Sequence, residues 1–214
     1  MEPFKTLTGV AAPLLRDDIN TDQVTPTSFL LSLKPDLKKA LFGNWRRRPD
    51  GQTDTEFVLE RTQYKSAKIL LVGKNFGCGS SREQAAWAML AFGIRCIVGP
   101  SFADIFRLNC LKNGILPIVL DAGRMTEFTK EVTTVDGAAD FTVDLAGQCI
   151  RCPGGREFAF EIAQGEREAL LEGLDEIGLT MKHGEEIAAW EAKASERLPW
   201  LQQMVRAPRQ TGLG

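Results

Sequence analysis

The chain has 214 residues, of which 43% are hydrophobic and 25% are charged, and its formal net charge is −2. This composition is typical of one folded globular domain and excludes a disordered chain, a membrane span of about 18 apolar residues and a broad basic surface for nucleic acid. The first residues form neither a basic nor an apolar leader, so we expect a soluble, cytoplasmic protein.

The N-terminal part of the chain predicts one strand followed by loops and short helices. Residues 6–12 are typical of a strand, and residues 16–26 are rich in side chains that form turns and helix caps. Short helices are predicted at 27–33 and 35–42. The polar loop at 46–52 follows them, and we expect it to be mobile.

Strands and helices alternate through the middle of the chain. Apolar runs at 67–73, 94–98 and 115–120 predict buried strands. Helices are predicted between them, at 84–92 and from a cap at Ser101 to Lys112. This alternation predicts an α/β fold with right-handed parallel crossovers.

The C-terminal part predicts a different kind of structure. The segments 141–145, 149–151 and 156–160 alternate apolar with polar residues, which favours a small antiparallel meander. Helical patterns follow at 165–174 and 184–201.

These elements together predict a single α/β domain. It spans residues 1–206 and combines a mixed, partly parallel β core with flanking helices and the antiparallel meander. From Ala207 the apolar spacing ends, so residues 207–214 are expected to form a disordered tail.

The five cysteines and the single histidine limit the available chemistry. An odd number of cysteines without an export signal indicates free thiols. Cys149 and Cys152 form one C-x-x-C pair without a second pair at zinc-ribbon spacing, so we expect a turn between two strands and no metal site. Because His183 is the only imidazole, catalysis depends on other side chains, on backbone dipoles or on a group from another chain.

A glycine-rich turn, GCGSSRE at residues 77–83, precedes the predicted helix at 84–92. Its glycines let the backbone approach a ligand closely, and free N–H groups at a helix start favour an anion. Arg82 adds a planar donor that suits a carboxylate. The spacing fits neither a Walker A loop, a Rossmann fingerprint nor a nucleophile elbow. Ser80 and Glu83 fit a helix capping box equally well, although capping does not explain the glycines beside an arginine.

Several motifs, in the same order, resemble the small subunits of 3-isopropylmalate dehydratase, a family in which the aconitase swivel domain is a separate chain. The motifs are NFGCGSSR at 75–82, DINTDQVTP at 18–26, LFGNWR at 41–46, PSFADIF at 100–106 with Asn109, and LDEIGLT at 174–180 with His183. The resemblance covers almost the whole chain and implies an aconitase-swivel-like fold.

The resemblance also implies a reaction and a partner. The family isomerises 2-isopropylmalate to 3-isopropylmalate through isopropylmaleate, in leucine biosynthesis. A separate large subunit carries a [4Fe-4S] cluster whose open iron acts as a Lewis acid. The resemblance therefore implies a hydro-lyase that is active only as a heterodimer, with a small hydroxy-dicarboxylate as substrate and no cofactor bound by this chain.

Site residues carry over from the matching motifs. Ser80 matches the family's serine base, Ser81 and Arg82 match contacts to a substrate carboxylate, and Asp22 matches an acidic residue near that arginine. The further candidates are Thr21 and Arg46 as substrate contacts, and the backbone of Gly77, Cys78 and Gly79 as an anion-binding loop.

Alternatives stay open for the substrate and for some residues. Leu30, Leu31 and Leu33 suit a branched aliphatic group but equally suit a helix core, so methylmalate or citraconate is an alternative substrate. A stand-alone anion-binding module is the non-enzymatic alternative. For packing, Cys78 is interpreted as a small residue that fills space, and His183 as a residue at a helix end. Trp87 and Phe92 are interpreted as core residues.

Overall fold

The computed structural model describes residues 1–134 and 139–197. The chain divides into two compact units, Met1–Leu174 and a second unit that begins at Asp175. The boundary expected at residue 206 and the tail expected at 207–214 both lie outside the described residues.

The first unit combines one sheet with helices. Its strands are β1 (Thr6–Leu14), β2 (Ile69–Val72), β3 (Cys96–Gly99), β4 (Leu116–Val119), β5 (Asp140–Asp144), β6 (Cys149–Arg151) and β7 (Glu157–Ala159). Its α-helices are α1 (Thr21–Val24), α2 (Leu37–Ala40), α3 (Gln84–Phe92), α4 (Asp104–Lys112), α5 (Ala122–Thr134) and α6 (Gln164–Glu172). Single 3-10 turns lie at Thr27–Phe29, Val58–Glu60 and Thr62–Tyr64. The second unit contains α7 (Glu176–Met181) and α8 (Gly184–Arg197).

All seven strands form one sheet in the order β4-β3-β2-β1-β5-β6-β7. The strands β1 to β4 pair in parallel, and β5 to β7 form the antiparallel meander. Both halves meet at β1, whose residues 6–10 pair with β5 while residues 11–14 pair with β2. The predicted mixed core and meander are therefore confirmed, and the meander continues the parallel sheet.

Helices cover both faces of the parallel half of the sheet. Successive side chains of a strand point to opposite faces, so Leu70 packs in the core cluster that contains Met89 of α3, and Leu71 packs in the cluster that contains Phe128 of α5. Every residue of β2 is buried. Burial on both faces explains why β2 is a continuous apolar run rather than an alternating one.

Several local predictions need correction. The helices α5 and α7 are not predicted from the sequence pattern, and the helix expected at 27–33 is only one 3-10 turn at Thr27–Phe29. Ser101 does not cap α4. The N-cap of α4 is Ala103, and the Ser101 hydroxyl oxygen accepts a hydrogen bond from the Asn75 N–H at 2.9 Å.

Aromatic residues on α3 also differ from expectation. Phe92 is buried, as predicted, but Trp87 is 40% exposed and its indole N–H donates to Asn113 Oδ1 at 3.1 Å. The indole needs a polar partner when it packs, which the neighbouring helix α4 supplies from its C-terminal end. No helix in the described part of the chain has the length and apolar character needed to cross a bilayer.

All five cysteines are free thiols. Burial raises the pKa of the Cys96 and Cys110 thiols far above their usual range, and it raises that of Cys152 to about 11. Cys152 begins the turn between β6 and β7, as expected, because its carbonyl accepts a hydrogen bond from the Gly155 N–H. The expectation is wrong for Cys149, which lies in β6.

We expect thiol alkylation of the native protein to follow these environments, because the thiolate is the reactive form. At pH 8, iodoacetamide should label the half-buried Cys78 and Cys149 first and Cys152 more slowly, while Cys96 and Cys110 should react only after unfolding. Peptide mass spectrometry over a time course measures this order. Equal labelling rates for Cys96 and Cys78 in the folded protein would contradict it.

Candidate active site

The candidate site is built from the loops that follow β1 and β2. Because these strands are parallel neighbours, both loops leave the sheet at the same edge. The Gly77 N–H donates to the Ile19 carbonyl at 2.7 Å, and the Thr21 N–H donates to the Cys78 carbonyl at 2.9 Å. These bonds hold the start of α1 beside the glycine-rich turn.

The turn requires glycine at Gly77. This residue has φ +80°, and a Cβ added to it would lie 2.1 Å from Cγ of Phe106. Phe106 packs edge to face on Phe76, with ring centroids 5.3 Å apart. Gly79 also has a positive φ, +91°, but it faces more open space. Close packing against α4 therefore excludes a side chain at Gly77, and the positive φ angle favours glycine at Gly79.

The Ser80 side chain is exposed, and its hydroxyl has a specific partner. Its Oγ lies 2.8 Å from Oγ1 of Thr21, and Thr21 Oγ1 also lies 3.1 Å from the Ser80 carbonyl oxygen. Thr21 is only 1% exposed. A capping box between Asn20 and Gln23, with bonds of 2.8 and 2.9 Å, fixes the first turn of α1. Thr21 is thereby held rigidly behind Ser80.

The capping-box alternative for Ser80 is not formed. The helix α3 begins at Gln84 with Glu83 at its N-cap, without a capping hydrogen bond from a side chain. Glu83 instead accepts a hydrogen bond from Asn113 Nδ2 at 2.9 Å. Within the described part of the chain, no backbone N–H from 79 to 83 donates to an acceptor. These amides lie in the turn that leads to the N-cap of α3 at Glu83, and the positive end of the helix dipole beside them favours negative charge.

Arg82 lies beside this run and is paired with Asp22. Its Nη1 is 2.5 Å from Asp22 Oδ1, and the two side chains are 28% and 57% exposed. The described residues offer no acceptor to Nε or Nη2 of Arg82. Asp22 can therefore orient the guanidinium while the remaining donors stay available to a carboxylate.

Ser81 and Cys78 occupy less specific positions. The Ser81 side chain is exposed, and its carbonyl oxygen lies 3.5 Å from Nδ2 of Asn109. Cys78 is half-buried, and its thiol lies 3.5 Å from the Asp18 carbonyl oxygen, which fits the expected filler role.

Asn113 is not predicted as a functional residue from the sequence, yet its side chain links α4 to the start of α3. It contacts Glu83 and Trp87, and its Nδ2 also donates to the Asn109 carbonyl at 2.8 Å. A polar residue at the C-terminus of a helix carries no sequence signal for this role.

Arg46 does not reach an open position. Its Nε donates to Glu60 Oε1 at 2.6 Å, and its Nη1 donates to the carbonyls of Lys38 and Leu41 at 2.7 and 3.2 Å. The side chains of Arg46 and Glu60 are only 15% and 13% exposed. The expectation of a solvated position is wrong for Arg46, and we interpret it as a structural residue rather than a substrate contact.

Among the described residues, no group of three or more histidine, cysteine, aspartate or glutamate side chains is arranged to hold a metal ion. The candidate loop contributes one thiol, Cys78, whereas an iron–sulfur cluster needs several. The described part of this chain therefore does not fit a resident cluster.

The fold and the matching family models define a swivel-type domain of the aconitase superfamily. The crystal structure of a 3-isopropylmalate dehydratase from Methanocaldococcus jannaschii matches this fold with a TM-score of 0.61 at 23% identity, and the match covers 86% of this chain and 98% of that one. The family model for the aconitase C-terminal domain matches residues 1–123. The model for the C-terminal domain of the 3-isopropylmalate dehydratase small subunit matches residues 176–203.

Curated relatives make the family specific. The 3-isopropylmalate dehydratase small subunit of Paramagnetospirillum magneticum is 48% identical over 202 residues, which cover 94% of this chain and 100% of that protein. The small subunit of Azorhizobium caulinodans is 47% identical over 203 residues, with the same coverage. The chain belongs to the family of 3-isopropylmalate dehydratase small subunits.

Gly77→Ala should destabilise the protein by about 2–4 kcal/mol, because the new Cβ would adopt a left-handed conformation and overlap Phe106. Gly154→Ala is the matched control: a Cβ there meets no atom within 4 Å. Urea denaturation should show a change within about 0.5 kcal/mol for the control. Similar stability of both variants would show that the turn accepts a side chain.

Arg46→Ala should lower the free energy of unfolding by about 2–4 kcal/mol, because it leaves the Glu60 carboxylate buried without its partner. Adding Glu60→Gln should recover part of the loss. Arg48→Ala, which removes a half-exposed arginine 3.6 Å from Asp54, should cost less than about 1 kcal/mol. Equal effects of Arg46→Ala and Arg48→Ala in urea denaturation would refute the structural role of Arg46.

Proposed function

We propose that this chain is one subunit of a heterodimeric hydro-lyase that isomerises 2-isopropylmalate to 3-isopropylmalate through isopropylmaleate, a step of leucine biosynthesis. Family membership supports the reaction class, since the curated relatives are named for this enzyme. The observation that carries the proposal is the exposed Ser80 hydroxyl beside open backbone amides and a partly free Arg82. An anionic substrate and a deprotonated serine both require such a positive environment.

Ser80 is the base in this proposal. As an alkoxide, its Oγ accepts the proton from the carbon next to a substrate carboxylate, while the hydroxyl group leaves the neighbouring carbon. The double bond of isopropylmaleate forms between these two carbons. For the isomerisation, rehydration adds the hydroxyl group to the carbon that lost the proton, and Ser80 returns the proton to the carbon that lost the hydroxyl group. A serine hydroxyl is a weak base, so its alkoxide needs the stabilisation that the start of α3 and Arg82 supply.

Arg82 binds a substrate carboxylate in this proposal. Its Nη1 is held by Asp22, and Nε and Nη2 present two parallel donors. The Ser81 hydroxyl, which is exposed next to it, is a further contact to the same carboxylate. Bidentate binding fixes the orientation of the substrate, so the proton to be removed lies in a defined position relative to Ser80.

The active site needs a second chain. Gly79, Ser80 and Ser81 are exposed, and an alkoxide base requires that water be excluded. The proposed partner is the large subunit with its [4Fe-4S] cluster, whose open iron supplies a Lewis acid for the leaving hydroxyl group. The described residues of this chain hold no metal-binding group of their own.

Two exposed leucines are the candidate contacts for the branched part of the substrate. Leu31 and Leu33 are 81% and 104% exposed, so they do not form the helix core that was the alternative for them. They follow the 3-10 turn at Thr27–Phe29, and the proposal assigns them to the apolar isopropyl group of the substrate. A smaller methyl group would bury less apolar area against these leucines and gain less binding free energy, so citraconate is the comparison substrate.

Reconstitution of this chain with its iron–sulfur large subunit under anaerobic conditions tests the proposal. Hydration is followed by loss of the absorbance of isopropylmaleate or citraconate. We expect turnover only with both chains and a preference for isopropylmaleate. A preference for citraconate would keep the mechanism and change the substrate. No turnover of either, with an intact cluster, would refute the proposed reaction.

Ser80→Ala in the reconstituted enzyme should lower kcat by about 10²–10⁴-fold with a small change in KM, because it removes the base but few substrate contacts. Arg82→Lys should instead raise KM, since it replaces two parallel donors with a point charge. Ser66→Ala, at an exposed serine in the turn before β2, is the control and should retain full activity. Full activity of Ser80→Ala would exclude Ser80 as the base.

A further inference from the structure

The Thr21 hydroxyl contacts Ser80 and is not open to a ligand. Thr21 is 1% exposed, and both contacts of its Oγ1 are to atoms of Ser80. Its backbone is fixed from two sides, by the Asn20 capping box and by the N–H bond to the Cys78 carbonyl. A buried, fixed hydroxyl with both contacts on one residue is unsuited to binding a substrate.

The two contacts compete for one hydrogen atom. The Thr21 hydroxyl donates either to the Ser80 carbonyl oxygen at 3.1 Å or to Ser80 Oγ at 2.8 Å. When Ser80 carries its proton, its own hydroxyl can donate to Thr21 Oγ1 while Thr21 donates to the carbonyl. When Ser80 is an alkoxide, Oγ has no hydrogen to donate and becomes the stronger acceptor.

We propose that Thr21 is a positioning residue whose hydroxyl rotates from the Ser80 carbonyl to Ser80 Oγ when Ser80 loses its proton, an inference that rests on the proposed function. The rotation breaks no covalent bond, and Thr21 keeps its hydrogen throughout. It trades a bond to a neutral carbonyl for a shorter, charge-assisted bond to the alkoxide. The rotation therefore stabilises the deprotonated state and holds Oγ in one orientation.

This role predicts a specific kinetic signature. Loss of the Thr21 hydroxyl removes a donor to the alkoxide, so the deprotonated form of Ser80 becomes less favourable and the pH at which kcat/KM rises should move upward. Dehydration of 3-isopropylmalate, in which Ser80 acts as the base, is the direction to measure. Asp22 and Arg82, the charged pair beside Ser80, are unchanged in the variants.

The experiment compares three variants of Thr21 in the complex with the large subunit. Thr21→Val should lower kcat by about 10- to 100-fold, the range for a lost hydrogen bond to a charged group, with KM within about twofold. Thr21→Ser should retain most of the activity because it keeps the hydroxyl. Thr21→Ala differs from Thr21→Ser only in the hydroxyl. If the valine variant does not fold, the ratio of kcat between these two variants therefore measures the effect of the hydroxyl.

Thr25→Val is the matched control. Thr25 is fully buried just after α1, and the described part of the chain gives its hydroxyl no hydrogen-bond partner. Its replacement by valine should leave kcat and the pH profile unchanged and should not lower the melting temperature. A loss of activity in Thr21→Val but not in Thr25→Val therefore reports the contact with Ser80 and not the removal of a buried hydroxyl.

Each other outcome overturns the inference. Wild-type kcat and pH profile in both Thr21→Val and Thr21→Ala, with an inactive Ser80→Ala variant, would refute the role of Thr21 and leave the proposed base intact. A raised KM with unchanged kcat would make Thr21 a substrate contact. Full activity of Ser80→Ala would instead refute the proposed function on which the inference depends.

Discussion

Parallel hydrogen bonding between β1 and β2 brings the ends of the two strands to one edge of the sheet, and backbone bonds continue between the loops beyond them. The bond from Gly77 to the Ile19 carbonyl and the bond from Thr21 to the Cys78 carbonyl set the spacing of those loops. The contacts of Thr21 with Ser80 and of Asp22 with Arg82 follow from that spacing, because one loop supplies the buried hydroxyl and the carboxylate while the other supplies the serine and the arginine. The site is thus an extension of the sheet.

Much of this arrangement could be predicted from the sequence, since the signals are local. The continuous apolar run of β2 predicts a strand that is buried on both faces, as the structure has it. The glycine-rich turn ahead of α3 predicts a place where the backbone approaches a ligand, whereas in the structure packing against Phe106 and the positive φ angles account for the two glycines. The parallel alternation of strands and helices predicts that loops after neighbouring strands meet. The contact between Thr21 and Ser80 could not be predicted, because it depends on the register between residues 59 apart in the chain.

Other features arise because tertiary packing opposes what the local sequence favours, either a weak helix propensity or a solvent-exposed loop. The helix α5 contains threonines and a glycine, which are poor helix formers, yet its side chains Met125, Phe128 and Val132 are buried against the sheet. Burial of this stripe outweighs the weak intrinsic preference. The reverse holds for Arg46, which lies in a polar segment typical of a solvated loop but finds Glu60 and two carbonyl oxygens in a nearly buried position. Only the folded chain brings those partners together.

The double role of β1 has a consequence for how the chain folds. Residues 11–14 of the strand pair with β2, whereas residues 6–10 pair with β5, which lies much later in the chain. The hydroxyl contact between Thr8 and Thr142, for example, joins residues 134 positions apart. Closing so long a loop is entropically costly and is repaid only when several strands are already in place, so the N-terminal strand completes its pairing late. During synthesis on the ribosome, the nine-residue strand β1 therefore lacks its pairing with β5 until most of the first unit has emerged.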